Sequence, residues 1–379
     1  MSNVPQQVVI VAGEVSGDKI AAALIRRVKE LAPTTMFRGV TGPAMRMEGC
    51  LSDARIDDIA VMGISDVLWS LPRLLRLRKR LIDDYLRSSV DLFIGVDAPE
   101  FNLSIEKKMK AAGVPTIHYV CPQVWAWRRK RANKFASAID RMLALFPFEV
   151  EFFENRGVET TFVGHPLASR LPLIPPKKAT KSNLNFETES SLVALMPGSR
   201  RHEVVRHLDV FLKTAQILCD AKPECQFVLN LVNDQECEYA KVICESFDLN
   251  IRLCVGDSSQ ILTAADVAIV ASGTVTLEAL LCGTPMVVGY RLAPLSYVIL
   301  RQLVKIQKVA LPNILSATDL VPEYIQSRMT PGNLASSALD WLNQPHTRAH
   351  FFSQSRMLHK KLISSNEAAG DVVVELLGS

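Results

Sequence analysis

The chain has 379 residues, more than one hydrophobic core usually serves, so two domains are expected. At 48% hydrophobic and 22% charged it is globular rather than disordered, and a net charge of +4 is too mild to single out a nucleic-acid partner. Eight cysteines (Cys50, Cys121, Cys219, Cys225, Cys237, Cys244, Cys254 and Cys282) show no CxxC pair or metal-ligand spacing and read as reduced thiols of a cytosolic protein, so no metal is expected. The start, MSNVPQQVVIVAG, lacks a basic leader, and no segment reaches about 18 uncharged apolar residues, so any membrane role is expected to be peripheral.

In chain order, the pattern predicts strands at 8–12, 36–40, 92–96, 116–120 and 142–145, with helices at 19–31 and 104–112. This alternation predicts an α/β fold with a doubly wound parallel sheet, covered by helices on both faces. The composition then shifts. Residues 165–191 read HPLASRLPLIPPKKATKSNLNFETESS, rich in proline, lysine and serine and without useful periodicity, as in a linker. Alternation restarts with a strand at 192–196, a turn at 197–200, a helix to about Cys219, and strands near 227–231, 251–255, 267–271 and 286–290. Residues 340–377 are helical in composition. The expected organisation is a Rossmann-like domain over 1–168, a linker over 169–190, a second Rossmann-like domain over 191–345, and C-terminal helices over 346–379 that could pack back on the first domain. Two such sheets would face a cleft.

Ligands of open α/β sheets bind at the carboxyl ends of the strands. The first such loop, Gly13-Glu14-Val15-Ser16-Gly17-Asp18, lacks GxGxxG spacing and so is no dinucleotide fingerprint. Its small residues suit a closely approaching ligand, or a tight turn capped by Asp18. Asp97 ends the strand 92–96, where partial desolvation can raise a carboxylate toward general-base use; a helix cap is the plainer role. In the stretch 118–131, Tyr119, Trp125 and Trp127 lie near the basic run from Arg128, a combination suited to a ligand with apolar and anionic parts, or to buried tryptophans beside a solvated basic face.

Gly198, Ser199 and Arg200 follow the strand 192–196 as a small phosphate-facing loop, too short for a P-loop and without its GK[ST] ending; an ordinary capped turn fits as well. The most informative stretch is 266–278, DVAIVASGTVTLE: an apolar strand, a turn of Ser272, Gly273 and Thr274, and a helix carrying Glu278. Free N–H groups at the helix start attract a diphosphate, and Glu278 can accept two hydrogen bonds from the cis hydroxyls of a ribose. A plain strand-to-helix turn with a solvated glutamate is the alternative. Separately, Ile64, Val67, Leu68, Leu71, Leu74 and Leu75 fall at helical spacing around Trp69, while Arg73, Arg76, Arg78, Lys79 and Arg80 crowd the same region. Such a segment suits an anionic bilayer, or a helix packed on its own core, with Pro72 starting or kinking a second helix.

The motifs VAGEVSGD (11–18), AVMGISDVL (60–68), GVDAPEFN (95–102), HYVCPQVWAWR (118–128), FPFE (146–149), VGHP (163–166), MPGSR (196–200), ASGTVTLE (271–278), MVVGYR (286–291) and LPN (311–313) run in order through most of the chain. Together they resemble the lipid-A-disaccharide synthase family, bacterial glycosyltransferases of GT-B architecture. The resemblance implies inverting transfer of a 2,3-diacylglucosamine unit from UDP-diacylglucosamine to 2,3-diacylglucosamine 1-phosphate (lipid X), giving UDP and a β-linked disaccharide. It implies no cofactor, no metal, and a peripheral position on the cytoplasmic face of the inner membrane; a homodimer is the default assembly.

By the same resemblance Asp97 is the essential acid. Arg200 and Glu278 contact the nucleotide, with Gly198, Ser199, Ser272, Gly273, Thr274 and Asn313 around it. Ser16, Asp18, Tyr119, Trp125, Trp127 and Arg128 serve the acceptor side, and Val67, Leu68, Trp69, Leu71, Leu74, Leu75 and Arg76 the membrane. Cys121 and Gln123 stand where the family often has serine. Two competing readings share much of this pattern. A UDP-sugar epimerase would have little reason to carry the Trp–Arg and amphipathic segments, and a membrane-docked nucleotide sensor would tolerate loss of Asp97.

Overall fold

A computed structural model describes residues 5–59, 64–122, 129–292, 308–363 and 367–378, with side chains described for these except 64–70, 129–131 and 367. The chain divides into two compact units, Met1–Pro166 with Leu362–Ser379, and Leu167–Lys361.

The first unit is built on seven strands: β1 (Gln7–Ala12), β2 (Met36–Thr41), β3 (Leu51–Arg55), β4 (Leu92–Val96), β5 (Thr116–Tyr119), β6 (Arg141–Ala144) and β7 (Glu159–Phe162). They form one sheet in the order β3-β2-β1-β4-β5-β6-β7, every pair parallel. A parallel strand in mid-sheet is covered on both faces, which explains why β1 and β4 are nearly unbroken apolar runs. Their side chains alternate between two cores. On one face Val8, Ile10, Ile94 and Val96 pack against Leu24, Ile25 and Val28 of the helix Val15–Leu31 and Val373 of the helix Glu367–Gly378. On the other, Val9, Val11 and Phe93 meet Leu81 and Tyr85 of the helix Ile64–Arg87, and Ile105 and Met109 of the helix Pro99–Ala111.

The second unit carries β8 (Leu192–Met196), β9 (Gln226–Leu231), β10 (Ile251–Val255), β11 (Val267–Val270), β12 (Met286–Tyr290) and β13 (Glu323–Ile325), in the order β10-β9-β8-β11-β12-β13, again all parallel. The stretch expected to be a linker, 169–190, belongs to this unit. Its helix Lys177–Asn183 is held by charge: buried Lys181 pairs with Asp266 at 3.0 Å, Lys177 pairs with the same carboxylate at 2.7 Å, and Leu192 N–H donates to it at 2.8 Å. Anchoring by paired charge needs no apolar face, so the segment shows no periodicity. The C-terminal segment 346–379 is shared: the helix Pro345–Leu362 lies almost wholly in the second unit, whereas Glu367–Gly378 completes the first.

In each sheet the chain winds outward in one direction and then in the other. The reversal falls between β1 and β4 in the first unit and between β8 and β11 in the second, the switch points outside whose carboxyl ends such sheets bind ligands.

Candidate functional site

The loops at the first switch point are 13–18 after β1 and 97–102 after β4. They touch: a Cβ added to Gly13 would lie 2.0 Å from that of Ala98. Asp97 and Ala98 both adopt left-handed backbone, with φ 52° and 42°, and Val120 after β5 does so at φ 75°. Three such non-glycine residues at one end of one sheet are strained, and strain of this kind concentrates where ligands are handled. Asp97 is half-buried, with its N–H donating to the Tyr119 carbonyl at 2.9 Å.

Other residues expected here divide sharply. Ser16 is exposed in the first turn of the helix Val15–Leu31. Asp18 is 2% exposed and fully engaged: Oδ1 accepts from Gly42 and Met45 N–H at 2.9 and 3.0 Å, and Oδ2 from Ala44 N–H at 2.9 Å. It therefore caps the helix Pro43–Met47 rather than lining an acceptor surface. Tyr119 is likewise buried, in the core beside Val96 and Leu143, and burial pushes its hydroxyl up to about 12. Trp125, Trp127 and Arg128 lie outside the described residues. Buried Glu149 of the FPFE motif accepts from Phe146 N–H at 3.0 Å, and burial, reinforced by this carboxylate, pushes the Cys121 thiol well up.

At the second switch point the loop after β8 exposes Ser199 and Arg200, and Gly198 takes φ +136°. A Cβ on Gly198 would strike Glu203 at 2.5 Å. Glu203 shapes this loop: its Oε2 accepts from Ser199 and Arg200 N–H at 3.1 and 3.3 Å, and its Oε1 from the Tyr290 hydroxyl at 3.1 Å. Buried His207 ties the same loop to the one after β12, with Nδ1 2.6 Å from the Pro197 carbonyl and Nε2 accepting from Arg291 N–H at 3.0 Å. That pattern fits the neutral imidazole with its proton on Nδ1, and burial pulls the ring's pKa down in agreement.

After β11, Gly273 takes φ +155° before the helix Thr274–Leu281, whose first residue, Thr274, is exposed. The Ser272 hydroxyl is used within the unit, donating to the Val309 carbonyl at 3.1 Å. Glu278 is half-buried and already accepts two hydroxyl hydrogen bonds, from Ser258 at 2.8 Å and Ser259 at 2.5 Å, one on each oxygen. A carboxylate held flat in this way keeps lone pairs for two more hydroxyl donors. Asn313 is 2% exposed, and its amide is consumed: Nδ2 donates to the Val321 carbonyl at 2.8 Å and Glu323 Oε1 at 2.7 Å, while Oδ1 accepts from Val321 N–H at 2.8 Å. It braces the LPN segment, and both N–H groups of its amide are spent there. Glu203, Ser258 and Ser259 escaped the sequence reading, although Glu203 was signalled by its place three residues into a helix.

The amphipathic segment forms a single helix, Ile64–Arg87, that runs through Pro72 without starting a second one. Val67, Leu68 and Trp69 have no described side chains. Leu71 and Leu75 are 44% and 45% exposed, Leu74 is half-buried, and Asp58, Arg73, Arg76, Leu77 and Arg80 line a depression alongside. Among the described residues no helix is long and apolar enough to cross a membrane, and no cluster of three or more His, Cys, Asp or Glu could hold a metal.

Two doubly wound parallel sheets, with a strained carboxylate at one switch point and glycine-bearing helix starts at the other, define a protein of GT-B fold. Residues 8–372 match the lipid-A-disaccharide synthetase family, and the chain belongs to it. The lipid-A-disaccharide synthase of Pseudomonas syringae pv. tomato is 43% identical over 375 residues, covering 99% of this chain and 98% of its own. That of Alkalilimnicola ehrlichii is 42% identical over 360 residues, 94% of each.

Solved structures share the fold at low identity. A UDP-GlcNAc 2-epimerase from Neisseria meningitidis bound to UDP-GlcNAc is similar at TM-score 0.64 and 13% identity, over 98% of this chain and 99% of that one. The glycotransferase of kitacinnamycin is similar at 0.63 and 16%, with the same coverage. The protein is thus a glycosyltransferase of lipid A biosynthesis.

Proposed function

We propose that the protein condenses UDP-2,3-diacylglucosamine with 2,3-diacylglucosamine 1-phosphate by a single inverting displacement, with Asp97 as general base. The family implies UDP-sugar and lipid substrates. Asp97 carries the reading: a half-buried carboxylate at the first switch point, on backbone that only its surroundings hold in place. The acceptor hydroxyl oxygen attacks the anomeric carbon, its proton passes to Asp97, and the bond to the diphosphate breaks with its electron pair leaving on UDP. General-base assistance of this kind is worth about 10²–10⁴ in rate.

In the second unit the exposed Arg200 side chain and the helix start at Gly273 and Thr274 meet the diphosphate, and Glu278 takes the ribose hydroxyls. Ser199 and Arg200 offer the diphosphate less through their main chain, because Glu203 already occupies those N–H groups. Charge developing on the leaving group is met by these dipoles and the guanidinium, without need of a divalent metal. The helix Ile64–Arg87, with exposed Leu71 and Leu75 among arginines, rests on the cytoplasmic face of the inner membrane, where acylated substrates would reside; homodimers are the expected assembly. The stretch with Trp125, Trp127 and Arg128 serves the acceptor.

Product formation from the two acylated sugars in EDTA tests the reaction. A tetra-acyl disaccharide phosphate with released UDP is expected for the wild type. Asp97→Asn should bind UDP normally yet lose turnover, and near-normal turnover in that variant would remove the base assignment.

A further inference from the structure

Beneath Asp97 lies a buried polar cluster that the reaction as written does not use. Asn102, Glu106 and His118 are each fully buried, and His118 Nδ1 sits 2.5 Å from Glu106 Oε1. Gly95, paired in register with His118, makes the room: a Cβ there would fall 2.2 Å from Glu106 Oε1 and 3.0 Å from Asn102 Cβ. Asn102 Oδ1, Glu106 Oε2 and His118 Nε2 have no hydrogen-bond partner among the described residues. Buried polar atoms are seldom left so, which marks this cluster as more than core filling.

The amide of Asn102 has one orientation available. Its Nδ2 lies 2.8 Å from the Asp97 carbonyl and 3.3 Å from the Val11 carbonyl, two acceptors that only the NH₂ end can satisfy. One side chain therefore ties β1 to the turn after β4 at the switch point. That turn needs a clamp. Asp97 and Ala98 are both left-handed, and the residue preceding the helix Pro99–Ala111 is Ala98, which offers no side-chain cap.

We infer that Asn102 is a positioning residue for the glycosyl transfer: its two hydrogen bonds hold the strained Asp97–Ala98 turn, and with it the direction of the Asp97 carboxylate. Glu106, one helical turn on from Asn102, pairs with His118 and lies against the same glycine, Gly95. The inference depends on the reading of Asp97 as base, and Asp97→Asn measured alongside separates the two.

The test is Asn102→Leu, which keeps the branched shape and removes the donor. Misplacing a catalytic group by about 1 Å can cost 10²-fold, so a loss of about 10–100-fold in kcat is expected, with KM for both substrates and UDP affinity close to the wild type and Tm lower by only a few degrees, since two carbonyls lose their donor. Adding Ala98→Gly, which lets residue 98 hold left-handed backbone without strain, should recover several-fold of kcat. A structural filler would show no such rescue. Wild-type kcat in Asn102→Leu, or a loss that tracks Tm and is not relieved by Ala98→Gly, overturns the inference. If Asn102→Leu fails to fold, Asn102→Ser, too short to reach both carbonyls, carries the same expectations. An inactive Asp97→Asn beside a fully active Asn102→Leu refutes the positioning role alone, whereas an active Asp97→Asn refutes the base.

Discussion

Replacing Asp18 separates a structural carboxylate from an acceptor-binding one. Asp18 reaches from the first turns of one helix to the start of another, where Gly42 supplies no side-chain cap, and takes three N–H groups, two of them buried, on two oxygens. Gly42 has to be glycine for this, since a Cβ would lie 2.3 Å from the Asp18 carboxylate. Hydrogen bonds to a charged group are worth roughly 1.5–3 kcal/mol each, and an orphaned buried N–H loses its partner outright. Allowing for relaxation, Asp18→Ala should cost about 3–6 kcal/mol. Asp18→Asn keeps one acceptor oxygen but turns an NH₂ toward Ala44 N–H, for about 2–3 kcal/mol. A unit of this size shifts by about 2–4 °C per kcal/mol, so its transition should fall by roughly 4–12 °C in the Asn variant and further in the Ala variant. Calorimetry, with UDP titration as a check on the second unit, reads this directly. An unchanged transition together with a raised KM for the acceptor alone would refute the capping role and return Asp18 to the binding surface.

Glu278→Gln should weaken UDP binding by about 10–100-fold in titration calorimetry, the loss of one or two charge-assisted hydrogen bonds; a change under about threefold would speak against the ribose assignment. Burial holds the His165 imidazole down at about 4, against 6.5 ordinarily. The unfolded chain then binds more protons between those values, so the stability this residue contributes is complete above pH 6.5 and is lost as pH falls toward 4, by roughly 3 kcal/mol at most. Acid unfolding of His165→Gln should lose that part of the slope, and an identical pH profile would exclude His165 as its source. Replacing Leu71, Leu74 and Leu75 together with serine should abolish flotation with anionic phospholipid vesicles at unchanged UDP affinity, and undiminished flotation would place the contact elsewhere.

Strands were legible where they are buried on both faces. β4 and β8 are unbroken apolar runs wholly out of solvent, and both were found to the residue. Of the four sheet edges only β10 (Ile251–Val255) was foreseen, and the other three were not. β3 reads LSDAR and meets β2 through an irregular register at Gly39 and Val40; β7 reads ETTF and β13 only EYI. Each of these three is fixed by backbone pairing to one neighbour and needs few apolar side chains, so periodicity has nothing to register. The supposed linker failed for the related reason that its fixed points are ion pairs.

Position after a strand was a sound guide to which residues stand at the switch points, and residue type a poor guide to which of them are free. Asp97, Arg200 and Glu278 were placed at switch-point loops because those loops follow apolar strands, and sequence order alone fixes that. Whether a carboxylate or amide there is free for a ligand depends on which backbone groups fold against it. Asp18 is consumed by N–H groups 24 to 27 residues away, and Asn313 by Val321 and Glu323. Such partners carry no side-chain signature, so composition cannot distinguish Asp18 from Asp97. Glycine offers a partial remedy, because a carboxylate packed close against backbone requires the residue beneath it to lack a Cβ. Gly42 answers Asp18, Gly95 answers Glu106, and Gly198 answers Glu203. In these three cases a structural carboxylate stands against a glycine, and covariation of each pair is the trace it would leave in related sequences.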